Sequence, residues 1–162
     1  MQDQSPQLHT FENVVPFSDE TVMVLKAQLF IEKCLWSLIR TRIDDHEMLN
    51  EMAGQYSPVS SGMGLVYLAK ALLMRDELAP VGTAKLWPAF KTLNNLRNLV
   101  AHNLHPDQMA LQKAMRKFIQ QATGEPPAND ENLAQSFWQA AYFLTELMNI
   151  DQRPMTFAEH AE

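Results

Sequence analysis

The chain has 162 residues, 46% of them hydrophobic, so it can bury one core but is too short for two ordinary domains. Its 13 basic and 19 acidic residues give a net charge of −6, which argues against a protein that coats nucleic acid through bulk positive charge. The single cysteine, Cys34, excludes an internal disulfide framework and is typical of a reducing cytoplasm. We see no secretory signal and no apolar run of membrane-spanning length, so we expect a cytoplasmic protein without membrane contact.

Helical periodicity predicts one bundle domain at residues 18–152, between an irregular arm at 1–17 and a flexible tail at 153–162. Ser18 is a suitable N-cap for a first, long helix that runs to about Ile43.

A loop rich in glycine, proline and serine follows the first helix, with room for one helical turn. Further helices are predicted at residues 64–78, 86–105, 106–122 and 130–150. No stretch alternates with period two over a useful length. The predicted class is therefore all-α, a single-domain bundle of four to five helices.

Two charged residues fall on apolar arcs of the predicted helices. Glu32 lies at the centre of one arc of the first helix, and Arg97 lies between Phe90 and Leu104 on an arc of the third helix. The remaining members of the arc around Glu32 are Val22, Leu25, Leu29, Trp36, Ile39 and Ile43. Because an isolated buried charge is costly, we expect a structural ion pair between Glu32 and Arg97; the alternative for Glu32 is a general base.

The polar arc of the third helix carries the remaining chemistry. Asn98 and His102 lie one turn apart and can approach a common ligand, and Lys91, Asn94 and Asn95 share their side of the helix.

The segment RNLVAH, residues 97–102, resembles the Arg-x4-6-His motif of the HEPN superfamily, in the form with a polar residue directly after the arginine. Its setting is similar to that in small bacterial HEPN-like proteins, with WPAFKTLNNL just before the motif and an LAKALL helix upstream. The resemblance covers most of the chain. It implies a helical bundle that forms a homodimer, in which motif helices of both subunits build one cleft. In catalytic members it implies a metal-independent endoribonuclease, which requires no cofactor.

The resemblance also implies roles for individual residues. His102 would act as general acid or base, Arg97 would stabilise the charged phosphorane, and Asn98 would orient the phosphate. The candidate RNA contacts are Lys91, Asn95, Lys113 and Arg116. For Lys113 and Arg116, and for Lys117 beside them, a solvated helix face is the alternative.

Several alternatives remain open from the sequence. Arg40 and His46 also fit the motif spacing, but they fall across the predicted end of the first helix. His102 and His105 could be read as metal ligands, although no suitable third ligand lies nearby except Asp107. Leu104 stands where related toxins often carry a modifiable tyrosine, so control by an antitoxin that modifies this position is not expected.

Functions other than RNA cleavage also fit the sequence. The same helix could dimerise a non-catalytic regulator that binds another protein, or the cleft could hold a free nucleotide without cleaving it. For the regulator, the expected partner is an antitoxin or another regulatory protein.

Overall fold

The computed structural model describes residues 11–15, 19–72, 86–128 and 131–150, and within these ranges it contains helices and no strand. The predicted all-α class is confirmed. Residues 11–14 form one helical turn. The helices are α1 Glu20–Arg40, α2 His46–Met52, α3 Gly62–Leu72, α4 Leu86–Ala101, α5 Gln108–Thr123 and α6 Leu133–Ile150. No described helix has both the length and the apolar character needed to cross a bilayer.

Four helices form a closed ring in which α1 packs against α4, α4 against α5, α5 against α6, and α6 against α1. The shorter α3 packs across α1 and α4. Aromatic side chains fill the centre of the bundle, among them Phe90 from α4, Phe118 from α5 and Phe137 from α6, each almost fully buried. Burial of such side chains is the main source of stability in a bundle of this kind.

Local capping explains where the helices begin and end. Ser18 lies outside the described residues, and the N-cap of α1 is Asp19, whose carboxylate accepts hydrogen bonds from the N–H groups of Thr21 and Val22. The helix ends at Arg40, three residues before the predicted end, where the Thr41 hydroxyl donates to the Leu38 carbonyl at 2.6 Å. The predicted loop after α1 contains the full helix α2, which is capped in the same way by Asp45.

The N-terminal arm is attached to the bundle where the structure describes it. Phe11 and Val15 are fully buried, and the Trp138 indole donates to the Val15 carbonyl at 2.7 Å. The described part of the arm is therefore a packed helical turn rather than an irregular segment. Residues 73–78 of the predicted second helix and the predicted tail lie outside the described residues.

The predicted apolar arc of α1 was wrong in part. Val22 and Leu29 are exposed, the latter at 59% of its surface. The face that packs into the core consists of Met23, Val24, Ala27, Ile31, Leu35, Leu38 and Ile39. Because α1 carries apolar residues on most of its circumference, a helical wheel alone could not decide which of them face the bundle.

Candidate functional site

The candidate site lies at the C-terminal end of α4. This helix ends at Ala101 rather than at His105, so His102 is the first residue after it. Arg97, Asn98 and His102 are all exposed, and the His102 backbone N–H donates to the Asn98 carbonyl at 3.3 Å. The end of α4 and the residue that follows it therefore present a guanidinium, an amide and an imidazole to solvent.

A hydrogen bond joins two members of this group. The Arg97 Nη1 donates to the Asn98 Oδ1 at 3.1 Å, which holds the guanidinium beside the amide. Among the described residues, no hydrogen bond joins the side chains of His102 and Arg97.

The predicted buried ion pair between Glu32 and Arg97 was wrong. Arg97 is exposed, and the described residues contain no ion pair between the two side chains. Instead, the Glu32 Oε1 accepts from the Gln28 Nε2 at 2.9 Å and from the backbone N–H of Gly62 at 2.8 Å. Glu32 therefore fixes the start of α3 to α1, which accounts for its partly buried position without a catalytic role.

Arg97 and Glu32 nevertheless line the same cavity of about 330 Å³, which we call the α1–α4 cavity. Its walls include Leu29 from α1 and Asn94 from α4. Arg97 lines this cavity and is itself exposed, so its side chain reaches solvent. This exposure explains how a residue on the apolar side of α4 can remain charged without a buried partner.

The four predicted RNA contacts separate into two groups. Lys91 and Asn95 line a second cavity of about 440 Å³ between α3, α4 and α5. Lys113 is exposed on α5 and Arg116 is half-buried, and neither lines this cavity.

Two lysines that the sequence did not associate with Lys91 lie around the same cavity. They are Lys70 of α3 and Lys117 of α5. No periodic pattern connects residues on three different helices, so only the packing of those helices brings the lysines together. We refer to this space as the lysine cavity.

The remaining candidate groups, a buried thiol and a second arginine–histidine pair, are weaker candidates for a catalytic site. Burial raises the pKa of the Cys34 thiol to about 11, so this thiol is protonated at neutral pH and is a poor nucleophile. Arg40 and His46, the second match to the motif spacing, are both exposed and lie on opposite sides of the turn between α1 and α2.

Comparisons of the chain with protein-family models, curated proteins and solved structures find no match.

Proposed function

We propose that the chain is a HEPN-like, metal-independent endoribonuclease that acts as a homodimer. Arg97, Asn98 and His102 of two copies would line one cleft for single-stranded RNA. The observation that carries this proposal is the exposed end of α4, where Arg97 is hydrogen-bonded to Asn98 and His102 follows one turn later. A guanidinium and an imidazole, both open to solvent, are the groups that phosphodiester cleavage needs.

The reaction requires no group beyond these side chains and the RNA. A general base removes the proton from a ribose 2′-hydroxyl, and the 2′-oxygen attacks the neighbouring phosphorus. The bond from phosphorus to the 5′-oxygen breaks, and a general acid protonates that oxygen. The products carry a 2′,3′-cyclic phosphate and a 5′-hydroxyl. Arg97 would compensate the additional negative charge of the phosphorane, because a fixed positive group is most effective where charge develops.

A second copy would supply the second proton-transferring group. One chain contributes one His102 to the cleft, whereas the reaction needs both a base and an acid. Leu104, two residues after His102, has 98% of its surface exposed, and Met109 at the start of α5 has 81%. Large apolar side chains beside the motif support an interface at this end of the bundle.

The test is RNA cleavage by the purified protein in EDTA, followed on single-stranded RNAs of diverse sequence. We expect His102→Ala to lower the cleavage rate by about 100-fold or more, as loss of a general acid or base does. His105→Ala is the matched control, because this second exposed imidazole lies three residues away, and it should cleave normally. Cleavage that survives His102→Ala would contradict the proposed site, and a 3′-phosphate or 5′-phosphate made in a single step would contradict the proposed chemistry.

A non-catalytic helical regulator is the second candidate function. The exposure of Leu104 and Met109 favours it, since both side chains could equally contact a different protein, such as an antitoxin or another regulatory partner. The same assay separates the two functions. A folded dimer that cleaves none of the RNAs would favour the regulator.

A further inference from the structure

The lysine cavity concentrates positive charge on a chain that is acidic as a whole. Lys70, Lys91 and Lys117 come from α3, α4 and α5 respectively, and among the described residues that line the cavity there is no aspartate or glutamate. Within the described part of the chain, none of the three ammonium groups takes part in an ion pair. A concave surface with several unpaired charges of one sign attracts an anion, because the low-dielectric walls focus their field.

Neutral groups around the cavity add hydrogen-bond donors. The Thr92 hydroxyl donates to the Gln121 Oε1 at 2.6 Å, and Gln121 lines the cavity. Because this bond occupies the amide oxygen of Gln121, the Nε2 group remains as its donor toward a ligand. The wall is therefore rich in donors, which suits the oxygen atoms of a phosphate.

Aromatic side chains border the same space. Tyr67 has 62% of its surface exposed and lines the cavity on α3, and Trp87 lines it on α4. The Trp87 ring is held edge-on against Phe90 with 5.6 Å between the ring centroids. An exposed tyrosine beside lysines offers a surface on which a nucleobase can stack while the ammonium groups bind phosphates.

We propose that the lysine cavity binds a nucleoside polyphosphate, with the phosphates among Lys70, Lys91 and Lys117 and the base against Tyr67. The volume of about 440 Å³ lies in the range of small-ligand sites, about 300–1,000 Å³, and suits one nucleotide rather than a strand. Three lysines match the compact charge of a diphosphate or triphosphate better than the single charge of one internucleotide phosphate. This site is separate from the proposed cleft, because Lys91 lies about 15 Å along the axis of α4 before its C-terminal residue Ala101, which His102 follows.

The test is calorimetric titration of the full chain with ATP, AMP, adenosine and inorganic tripolyphosphate, without divalent cations. We expect ATP to bind most tightly, AMP at least about tenfold more weakly, and adenosine without measurable affinity, because each lysine–phosphate contact is worth about one order of magnitude. Tripolyphosphate should bind more weakly than ATP because it lacks a base. Affinity for ATP should fall as salt is raised.

Substitutions assign the binding to this cavity. Lys70→Gln, Lys91→Gln and Lys117→Gln should each weaken ATP binding by about tenfold. Lys33→Gln, which changes an exposed lysine of α1 outside the cavity, is the control and should leave the affinity unchanged. Tyr67→Ala should weaken ATP binding but not tripolyphosphate binding. All five substituted side chains are exposed, so the variants are expected to fold, and circular dichroism checks this.

Several outcomes would overturn the proposal. They are absence of ATP binding, binding that is insensitive to the three lysines, and tripolyphosphate binding as tight as that of ATP. If a single-stranded oligoribonucleotide bound through the same lysines more tightly than ATP, the ligand of the lysine cavity would be RNA and not a nucleoside polyphosphate. The result is independent of RNA cleavage, because His102→Ala should retain full affinity for ATP, so this proposal and the proposed function can fail separately.

Discussion

Gly64 is a position where only a residue without a side chain fits. A Cβ added there would lie 1.8 Å from the carbonyl oxygen of Pro58 and 3.2 Å from the Cα of Val59. Both neighbours are backbone atoms of the loop between α2 and α3, so neither can rotate away as a side chain would. The close approach of this loop to the first turn of α3 therefore depends on Gly64.

We expect Gly64→Ala to lower the free energy of unfolding by about 1–3 kcal/mol, because the loop must move to admit the new methyl group. Chemical denaturation followed by circular dichroism measures this change. Gly54→Ala is the control. Its new Cβ would meet its nearest neighbour, the Glu51 carbonyl oxygen, at 3.1 Å, so its effect should be smaller. If the Gly64→Ala and wild-type proteins were equally stable, the close approach of the loop to residue 64 would not be needed for the stability of the fold.

Arg97 shows what a helical wheel can and cannot predict. The wheel placed Arg97 between Phe90 and Leu104 on the apolar side of its helix, and Phe90 is indeed buried. However, α4 ends at Ala101, so Leu104 is not on the helix, and α1 borders an open cavity at the level of Arg97. A wheel describes one helix and contains no information about where its neighbour stops covering it. The exposure of Asn98 and His102 agrees with the predicted polar arc, but Asn94, predicted on the same arc, is buried. The action of Asn98 and His102 on RNA stays a prediction.

The junction between α1 and the start of α3 depends on side-chain contacts to the backbone. The Glu32 carboxylate accepts from the N–H of Gly62, where the backbone is left-handed with a φ of 60°. Four residues later on α1, the Trp36 indole donates to the Ser60 carbonyl at 2.9 Å. These two bonds attach the incoming loop to one side of α1. The bond to Glu32 satisfies a backbone N–H that the start of α3 leaves without an intrahelical partner, and the bond from Trp36 satisfies a carbonyl of the loop before α3.

We therefore expect Glu32→Ala to destabilise the fold by about 1.5–3 kcal/mol, the usual contribution of a hydrogen bond to a charged group. Hydrogen exchange at the Gly62 amide should accelerate at the same time. Arg97→Met is the informative control. It changes an exposed side chain and should alter stability by no more than about 0.5 kcal/mol. The two effects on stability should add in the double variant. If the double variant instead recovered wild-type stability, that result would support an ion pair between Glu32 and Arg97 in the wild-type protein.

Most of the helices could be predicted from the sequence because their periodicity and caps are local. Asp107 caps α5 through bonds from the N–H groups of Met109 and Ala110, and Gly124, with a φ of 85°, ends it. Its buried side chains Met115, Phe118 and Ile119 lie three or four residues apart or adjacent, the spacing of one face of a helix. The lysine cavity could not be predicted in this way, because its charges meet only after three helices have packed.

In the whole molecule, the polar and charged side chains of the candidate sites are concentrated on one helix, α4. Along its length, α4 contributes Lys91 to the lysine cavity, Arg97 to the α1–α4 cavity, and Asn98 to the exposed group that ends with His102. Other side chains of α4, such as Phe90 and Leu93, are buried in the core. In this ring α4 packs against α1 and α5, and the shorter α3 packs across α1 and α4.

The exposed apolar side chains next to His102 make the association of two copies testable. In the proposed dimer Leu104 becomes buried, and burial of a leucine is worth about 1.5–3 kcal/mol. We expect Leu104→Glu to weaken dimerisation by at least about tenfold, measured by sedimentation equilibrium, because it removes that contribution and places a charge in the interface. RNA cleavage per chain should fall in parallel and recover at high protein concentration, since each cleft needs both copies. Tyr56→Glu, which changes a side chain with 94% of its surface exposed in the loop between α2 and α3, should alter neither property. A protein that is monomeric at every concentration yet cleaves RNA would contradict the composite cleft while leaving His102 as a site within one chain.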